Sequence, residues 1–326
     1  MATRRRAILA VGAAAAAVPR LARAAFPDRP LRIIVPFAAG TSSDVQARLI
    51  APLMQARLGQ PVVVENRAGA GGTVGAEAVA RARPDGYTLL LGSNGPLTNN
   101  PVLQAQIPYD VERDFVPVAM MSRSPLTLSV RAQSPIRDVA GFLAAARAQP
   151  GAVTIGSSGQ GSATHFLIEQ LMAQAGVRLT HVPYRGSSQS VPDMVAGNVA
   201  SVMGEISTVM PLYRGGQVRI LAVTSARRLA LFPDLLTLSE SGLPGLIGGS
   251  WSSLVTTAGT PGEAVETLAA VVRHALADPA YAARQAELAA ELAGEEERTP
   301  AGFAAWLRAE RARIREIAER AGIRAE

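Results

Sequence analysis

The sequence contains no cysteine and no lysine. Without cysteine there are no disulfides, no thiolate nucleophile and no cysteine-ligated metal. A chain of 326 residues can bury a core large enough to stand without such cross-links. Without lysine there is no Walker phosphate loop, whose lysine reaches the phosphates; all 32 basic side chains are arginine. Histidine is nearly as scarce. His165, His181 and His274 are the only three, and none has a His or Cys three or four residues away, so no local metal signature exists. The spacing Gly156-Ser157-Ser158-Gly159 is wrong for a Gly-x-Ser-x-Gly nucleophile elbow. Gly69-Ala70-Gly71-Gly72 is followed by Val74 where a dinucleotide fingerprint needs its last glycine, and Gly159-Gln160-Gly161 runs on to Thr164. No catalytic residue, metal ligand or cofactor is expected.

What is present begins with a leader. Arg4, Arg5 and Arg6 form a basic segment, an alanine-rich apolar run covers 7–18, and Ala22-Arg23-Ala24 fits a cleavage site. These are the three parts of a secretory signal in order, and the apolar run is shorter than the roughly 20 residues that span a bilayer. The paired arginines also suit a twin-arginine signal, so both export routes remain open. Cleavage of residues 1–24 would start the mature chain at Ala25 or Phe26 in the periplasm. Five arginines leave with the leader and no acid does, which takes the formal charge from +6 to +1. The high basicity therefore belongs to the leader and does not argue for nucleic acid. Beyond it, no apolar run is long enough to cross a membrane.

In the body, short apolar runs alternate with helical patterns. Strands are predicted at 31–36, 62–65, 87–91, 126–130, 153–156, 179–182, 201–203 and 220–224. Helices are predicted at 43–58, with a kink at Pro52, and at 74–83, 139–149, 163–175, 190–196, 263–277 and 301–321. Such alternation argues for an α/β fold with largely parallel sheets. The helical tail from about Thr260 must cover something already built, most simply the first half. Two α/β lobes follow, 25–125 with 250–326 and 126–249, joined by crossings near 119–127 and 248–256. The cleft between them is the default ligand site.

Two strand-to-helix junctions could hold an anion there. The first runs Ile33-Ile34-Val35-Pro36-Phe37-Ala38-Ala39-Gly40-Thr41-Ser42-Ser43-Asp44, the second Thr154-Ile155-Gly156-Ser157-Ser158-Gly159-Gln160-Gly161-Ser162-Ala163-Thr164-His165. Each passes from an apolar strand through small residues to a helix start. There the first N–H groups lack internal partners and the dipole adds positive charge, so an anion binds without a basic side chain. Glycine lets the backbone come close. The same composition also serves ordinary strand-to-helix loops that bind nothing. His165 either orients the second loop or touches ligand. His181 reads as a satisfied structural histidine and His274 as a surface residue. Glu295-Glu296-Glu297 reads as a solvated turn.

A set of blocks in order along the chain carries a family resemblance. Among them are Phe26-Pro27-Asp28-Arg29-Pro30-Leu31-Arg32-Ile33-Ile34-Val35-Pro36-Phe37, Val64-Glu65-Asn66-Arg67-Ala68-Gly69-Ala70-Gly71-Gly72, Pro84-Asp85-Gly86-Tyr87-Thr88-Leu89-Leu90 and Pro108-Tyr109-Asp110. His181-Val182-Pro183-Tyr184-Arg185-Gly186 and Arg219-Ile220-Leu221-Ala222-Val223-Thr224-Ser225 follow. The chain resembles the Bug-type extracytoplasmic solute receptors of the tripartite tricarboxylate transporter family. The resemblance implies a periplasmic-binding-protein fold of type II, with two lobes and a hinge of crossing strands. It implies a ligand carboxylate met by amides and hydroxyls of both loops, with ordered water beside it. Family ligands are di- or tricarboxylates, acidic amino acids, aromatic carboxylates or nicotinate-like acids. Two integral membrane subunits are the usual partners, although many members are encoded without them, which leaves a sensor as the alternative partner.

The candidate ligand-binding set is Phe37, Ala39, Gly40, Thr41, Ser42, Asp44, Asn94, Ser157, Gly159, Ser162, Thr164, His165 and Glu205, in a monomer that takes up a small carboxylate. Asp44 either belongs to the site or places a favourable charge in the first helical turn. The chain departs from the family pattern at Ala38-Ala39-Gly40-Thr41, where Pro-Pro-Gly-Gly is usual. It departs again at Gly204, where an aspartate is common, and at Arg185, where lysine is usual. Glu205, facing the cleft, would repel a plain carboxylate or pair an amino group. The rival readings are a periplasmic hydrolase using Ser157 or Ser162 with His165, and a sensory or scaffold module.

Overall fold

The computed structural model describes residues 26–104 and 106–321; the predicted leader, its cleavage site and Ala25 lie outside them. The first elements are β1 (Leu31–Val35), α1 (Ser42–Leu58), β2 (Val62–Asn66), α2 (Thr73–Ala80) and β3 (Thr88–Gly92). A π-helical turn at Gly95–Asn99 leads into α3 (Asn100–Leu103), α4 (Val111–Asp114) and the long β4 (Phe115–Arg131). Then come α5 (Val139–Ala148), β5 (Thr154–Ser157), α6 (Ala163–Ala175), β6 (Thr180–Pro183), α7 (Ser187–Ala196), β7 (Ser201–Glu205), α8 (Ile206–Arg214) and β8 (Val218–Val223). The chain closes with β9 (Gly249–Thr257), α9 (Gly262–Leu276), α10 (Pro279–Glu287), β10 (Glu291–Leu292) and α11 (Pro300–Ala321).

The strands lie in the order β2-β1-β3-β9-β4-β7-β5-β6. At one end β1 pairs in parallel with β2 and β3, and at the other β5 pairs in parallel with β6 and β7. Helices cover both faces of these parallel parts, so the strands read as unbroken apolar runs. In β1, Leu31, Ile33, Ile34 and Val35 are all buried. The two ends meet through antiparallel strands. The first part of β4, Phe115 to Pro125, pairs with β9, and its continuation, Leu126 to Arg131, pairs with β7 and β8. One strand therefore serves both lobes, and the chain returns between Gly248 and Gly249. These are the two crossings expected from the sequence, and the molecule has the two-lobed α/β architecture with a crossing-strand hinge.

Each lobe has its own core. Leu31, Ile50, Met54, Leu89, Leu254, Leu268 and Val272 belong to one cluster, and Leu128, Phe142, Ile155, Ile168 and Met203 to another. The tail behaves as its composition requires. On α9, Leu268, Val272 and Leu276 recur at helical spacing and are buried against α1 and β4. On α11, Phe303 and Leu307 join Trp251 in the first lobe, whereas Ile314 and Ala318 pack with Leu103 and with Phe166 of α6. The last helix thus covers the first lobe and also reaches the second.

Several elements differ from expectation. Helix α1 runs through Pro52 without a break in its assignment. The first half of β4, together with β9, α8 and α10, was not predicted. Pro117 and Pro125 interrupt the β4 pattern; the strand takes up Pro117 with a register shift against β9. The run GSWSSLVTT of β9 is too rich in serine for a strand signal. Glu297 is not a free solvated charge. It holds Arg123 of β4 through two hydrogen bonds, at 2.9 and 2.6 Å.

Candidate functional site

The two predicted junctions face each other across the cleft. In the first lobe, β1 ends in the loop leading to Thr41, which precedes α1. The Thr41 hydroxyl donates to the Ala38 carbonyl at 2.8 Å and makes no capping bond to the helix. Its first amides are therefore left for an external acceptor. Asp44 is occupied otherwise. Its carboxylate accepts from the Gly40 amide at 3.0 Å, from Asn66 Nδ2 at 2.9 Å and from Arg48 at 3.0 Å. Asn66 donates in turn to the Phe37 carbonyl at 3.1 Å. These donors outweigh the cost of burial and hold the Asp44 carboxyl below its ordinary range. Asp44 shapes the loop from behind.

In the second lobe the loop after β5 is organised around Thr164, which is fully buried. Its hydroxyl accepts from the Ser158 amide at 2.8 Å and lies 2.8 Å from the hydroxyls of both Ser158 and Ser162. Ser162 caps α6, accepting from the His165 amide at 3.2 Å. His165 Nδ1 accepts from the Gly161 amide at 3.1 Å, and its Nε2 lies 3.4 Å from Glu169. Ser157 does not pair with His165. It lies 2.7 Å from Nε2 of His181 and accepts from the Gly159 amide at 3.1 Å. The two imidazoles stack at 4.2 Å with an 11° tilt. Burial, reinforced by the neighbouring His165, pushes the His181 pKa down to about 4. His181 is thus a neutral structural partner, as its strand position suggested.

Between the loops lies a cavity of about 20 Å³, room for about one water. Phe37, Thr41, Ser42, Ser43, Ser93, Asn94, Gly95, Ser158, Ser162, Ala163, Glu205 and Ser250 line it. Six of these predicted site residues, Phe37, Thr41, Ser42, Asn94, Ser162 and Glu205, are in the wall. Ala39, Gly40, Asp44, Ser157, Gly159, Thr164 and His165 do not line it. Ser43, Ser158 and Ala163 of the wall belong to the two predicted junctions, whereas reading the sequence missed Ser93, Gly95 and Ser250. Ser93 is the clearest of these, because its buried hydroxyl has no partner among the described residues. Asn94 fixes the wall to the hinge, donating to the Gly249 carbonyl and accepting from the Trp251 amide, both at 3.1 Å.

The wall holds no basic side chain and one ionisable group, Glu205. It ends β7, and its carboxylate accepts from the Ser187 hydroxyl. Burial pushes its carboxyl above the ordinary range, against the smaller effects of its own amide and of Ser158. The lobes meet tightly around the cavity. A methyl group on Gly71 would stand 1.9 Å from the Gln160 carbonyl oxygen, and one on Gly161 would stand 1.8 Å from Asn100 Oδ1. The cleft is closed, and side chains at these two glycines would hold it open.

Comparison with known proteins agrees with this geometry. The sequence profile described as "Tripartite tricarboxylate transporter family receptor" matches residues 46–318. Protein BugT of Bordetella pertussis (strain Tohama I) is 38% identical over 252 residues, 77% of each chain. A structure described as an R. palustris protein with adipate superposes with TM-score 0.88 at 34% identity, covering 92% of this chain and 100% of that one. MatC from Rhodopseudomonas palustris, with bound malate, gives 0.86 at 33% identity, covering 90% and 99%. The chain belongs to the tripartite tricarboxylate transporter family of receptors, which makes it a receptor rather than an enzyme.

Proposed function

We propose that the protein is an extracytoplasmic receptor that captures a small carboxylate and delivers it to a tripartite tricarboxylate-type transporter. The observation that carries this reading is the pair of helix starts, at Ser42 of α1 and Ala163 of α6, facing one cavity without a basic side chain. An anion there draws on backbone amides and on the hydroxyls of six wall serines. Charge-assisted hydrogen bonds of this kind contribute about 1.5–3 kcal/mol each. The ligands named for the similar structures, adipate and malate, are small dicarboxylates, which such a cleft takes up as its lobes part beyond the space of about 20 Å³. The full candidate set of the sequence reading is part of the proposal. Residues of the wall meet the ligand, and Ala39, Gly40, Asp44, Ser157, Gly159, Thr164 and His165 hold the two loops in place.

Glu205 sets the finer choice. Burial favours the neutral form of its carboxyl, and in that form it donates to a second carboxylate of the ligand instead of repelling it. An ionised Glu205 would instead pair an amino group, which makes an acidic amino acid the second reading. The lobes 25–125 with 250–326 and 126–249 are the bodies that close on the ligand. Export by the leader places the receptor in the periplasm as a monomer. Its partners are two integral membrane subunits or, in their absence, a sensor.

A thermal-shift panel of carboxylates with product analysis tests the reading. Ligand at a hundredfold over its Kd should stabilise the protein by about 2.7 kcal/mol, and the ligand should be recovered unchanged. Catalytic consumption of the ligand would favour a hydrolase. Against that rival, Ser157 is fully buried and does not line the cavity, and it does not pair with His165.

A further inference from the structure

Behind the hinge, on the other side of β9 from the closed cleft, lies a second and far larger cavity of about 980 Å³. Ser250 of the hinge strand borders both spaces, so the two adjoin along β9. The walls of the rear cavity come from both lobes: Leu229, Leu231 and Ile247 from the segment between β8 and β9, and Trp306 from α11. Two of these, Leu231 at 49% and Ile247 at 42%, are among the most exposed large apolar residues described. The size falls within the range of small-molecule pockets, about 300–1,000 Å³.

Arg123, Arg227, Arg228 and Arg313 line the rear cavity against the acids Glu291 and Glu310. Three of the arginines are already engaged: Arg123 with Glu297, Arg228 with Glu240 and Arg313 with Glu310. The side chain of Arg227 has no hydrogen-bond or ion-pair partner among the described residues, and it is exposed beside the apolar patch. Apolar wall and an uncommitted guanidinium together call for an amphipathic anion, with a hydrocarbon body against Leu229, Leu231, Ile247 and Trp306 and an acidic head at Arg227.

We propose that this rear cavity is a second binding site, for a medium-chain or similarly apolar carboxylate, distinct from the polar cleft in front of the hinge. Because both lobes build it, its shape depends on their closure. Occupancy at front and rear is then coupled, and the coupling is equal in both directions. The site stands on its own wall and does not depend on which solute the front cleft takes.

The chain contains two tryptophans, and both, Trp251 and Trp306, border this cavity. Intrinsic fluorescence therefore reports on it directly. The mature full chain is titrated with decanoate below its micellar concentration, with decanol and decylamine as neutral and cationic controls. Decanoate should change the tryptophan emission saturably, and both controls should bind at least tenfold more weakly. The double variant R227Q/L231Q, altered at exposed positions that leave the cores intact, should lose at least tenfold in decanoate affinity while its circular dichroism and melting curve match the wild type. Absence of a saturable response would overturn the site. So would equal binding of the controls, or an undiminished response in the double variant.

Discussion

Thr224 donates its hydroxyl to the Gly248 carbonyl at 2.6 Å. The same oxygen accepts from the Leu126 amide at 2.8 Å, and the Thr224 backbone bonds to both partners at 3.0 Å. Leu126 is where β4 enters the second lobe, and Gly248 is where the chain turns back toward the first. One buried side chain thus ties the outgoing crossing to the returning one. Substitution by valine keeps the shape and removes the hydroxyl. It leaves a buried N–H and C=O short of a partner, a loss of about 1–3 kcal/mol. Denaturant unfolding of Thr224→Val should show this as a lower midpoint.

Closure should be controlled by small residues at the lobe contact. Gly161 has φ +74° and meets Asn100 of the opposite lobe. Gly161→Ala should hold the cleft open, enlarge the radius of gyration in small-angle scattering and weaken carboxylate binding at least tenfold. The control is Gly176→Ala, where φ is +61° and open space surrounds the new methyl. It carries the same backbone strain without touching the other lobe, and it should bind normally.

Glu205 should make binding pH-dependent. A neutral Glu205 donates to the ligand, so affinity for a plain dicarboxylate is full below its raised pKa and falls as pH rises through it, by up to tenfold per unit. Glu205→Gln, a permanent neutral donor, should flatten that profile. Calorimetric titrations across pH measure it. Affinity that rises with pH and favours amino acids would assign the ionised carboxylate instead.

The His181 pair predicts the opposite limb of a stability profile. Its folded pKa is depressed to about 4 from an ordinary 6.5, so the unfolded chain takes up the proton first. Its contribution is complete above pH 6.5 and is lost as pH falls toward 4, by about 1–2 kcal/mol after allowance for solvent screening. Urea unfolding of His181→Gln should show a weaker pH dependence in that window.

Much of this was legible in the sequence, for identifiable reasons. The parallel strands β1, β3 and β5 are short apolar runs ending in small-residue loops, a local signal that needs no tertiary context. The loops at Thr41 and Ser162 followed from helix starts alone. The crossings followed too, but not the antiparallel strands that form them, because Pro117 and Pro125 in β4 and the serines of β9 carry strand pairing that only the partner strand reveals. No strand or helix was expected between β3 and β4, yet the structure winds Gly95–Asn99 into a buried π-helical turn just after Ser93 and Asn94 of the wall. Of the two acids, Asp44 and Glu205, only the fold distinguishes the one tied up behind the loop from the one facing the cavity.

The central claim is that the cleft between the lobes holds a small acid through backbone amides and hydroxyls. It is tested most directly by isolating the mature protein natively, releasing what it carries by mild denaturation and identifying that molecule by mass spectrometry. A small di- or tricarboxylate, or an acidic amino acid, is the predicted result. A neutral sugar or a cation in its place would contradict the account.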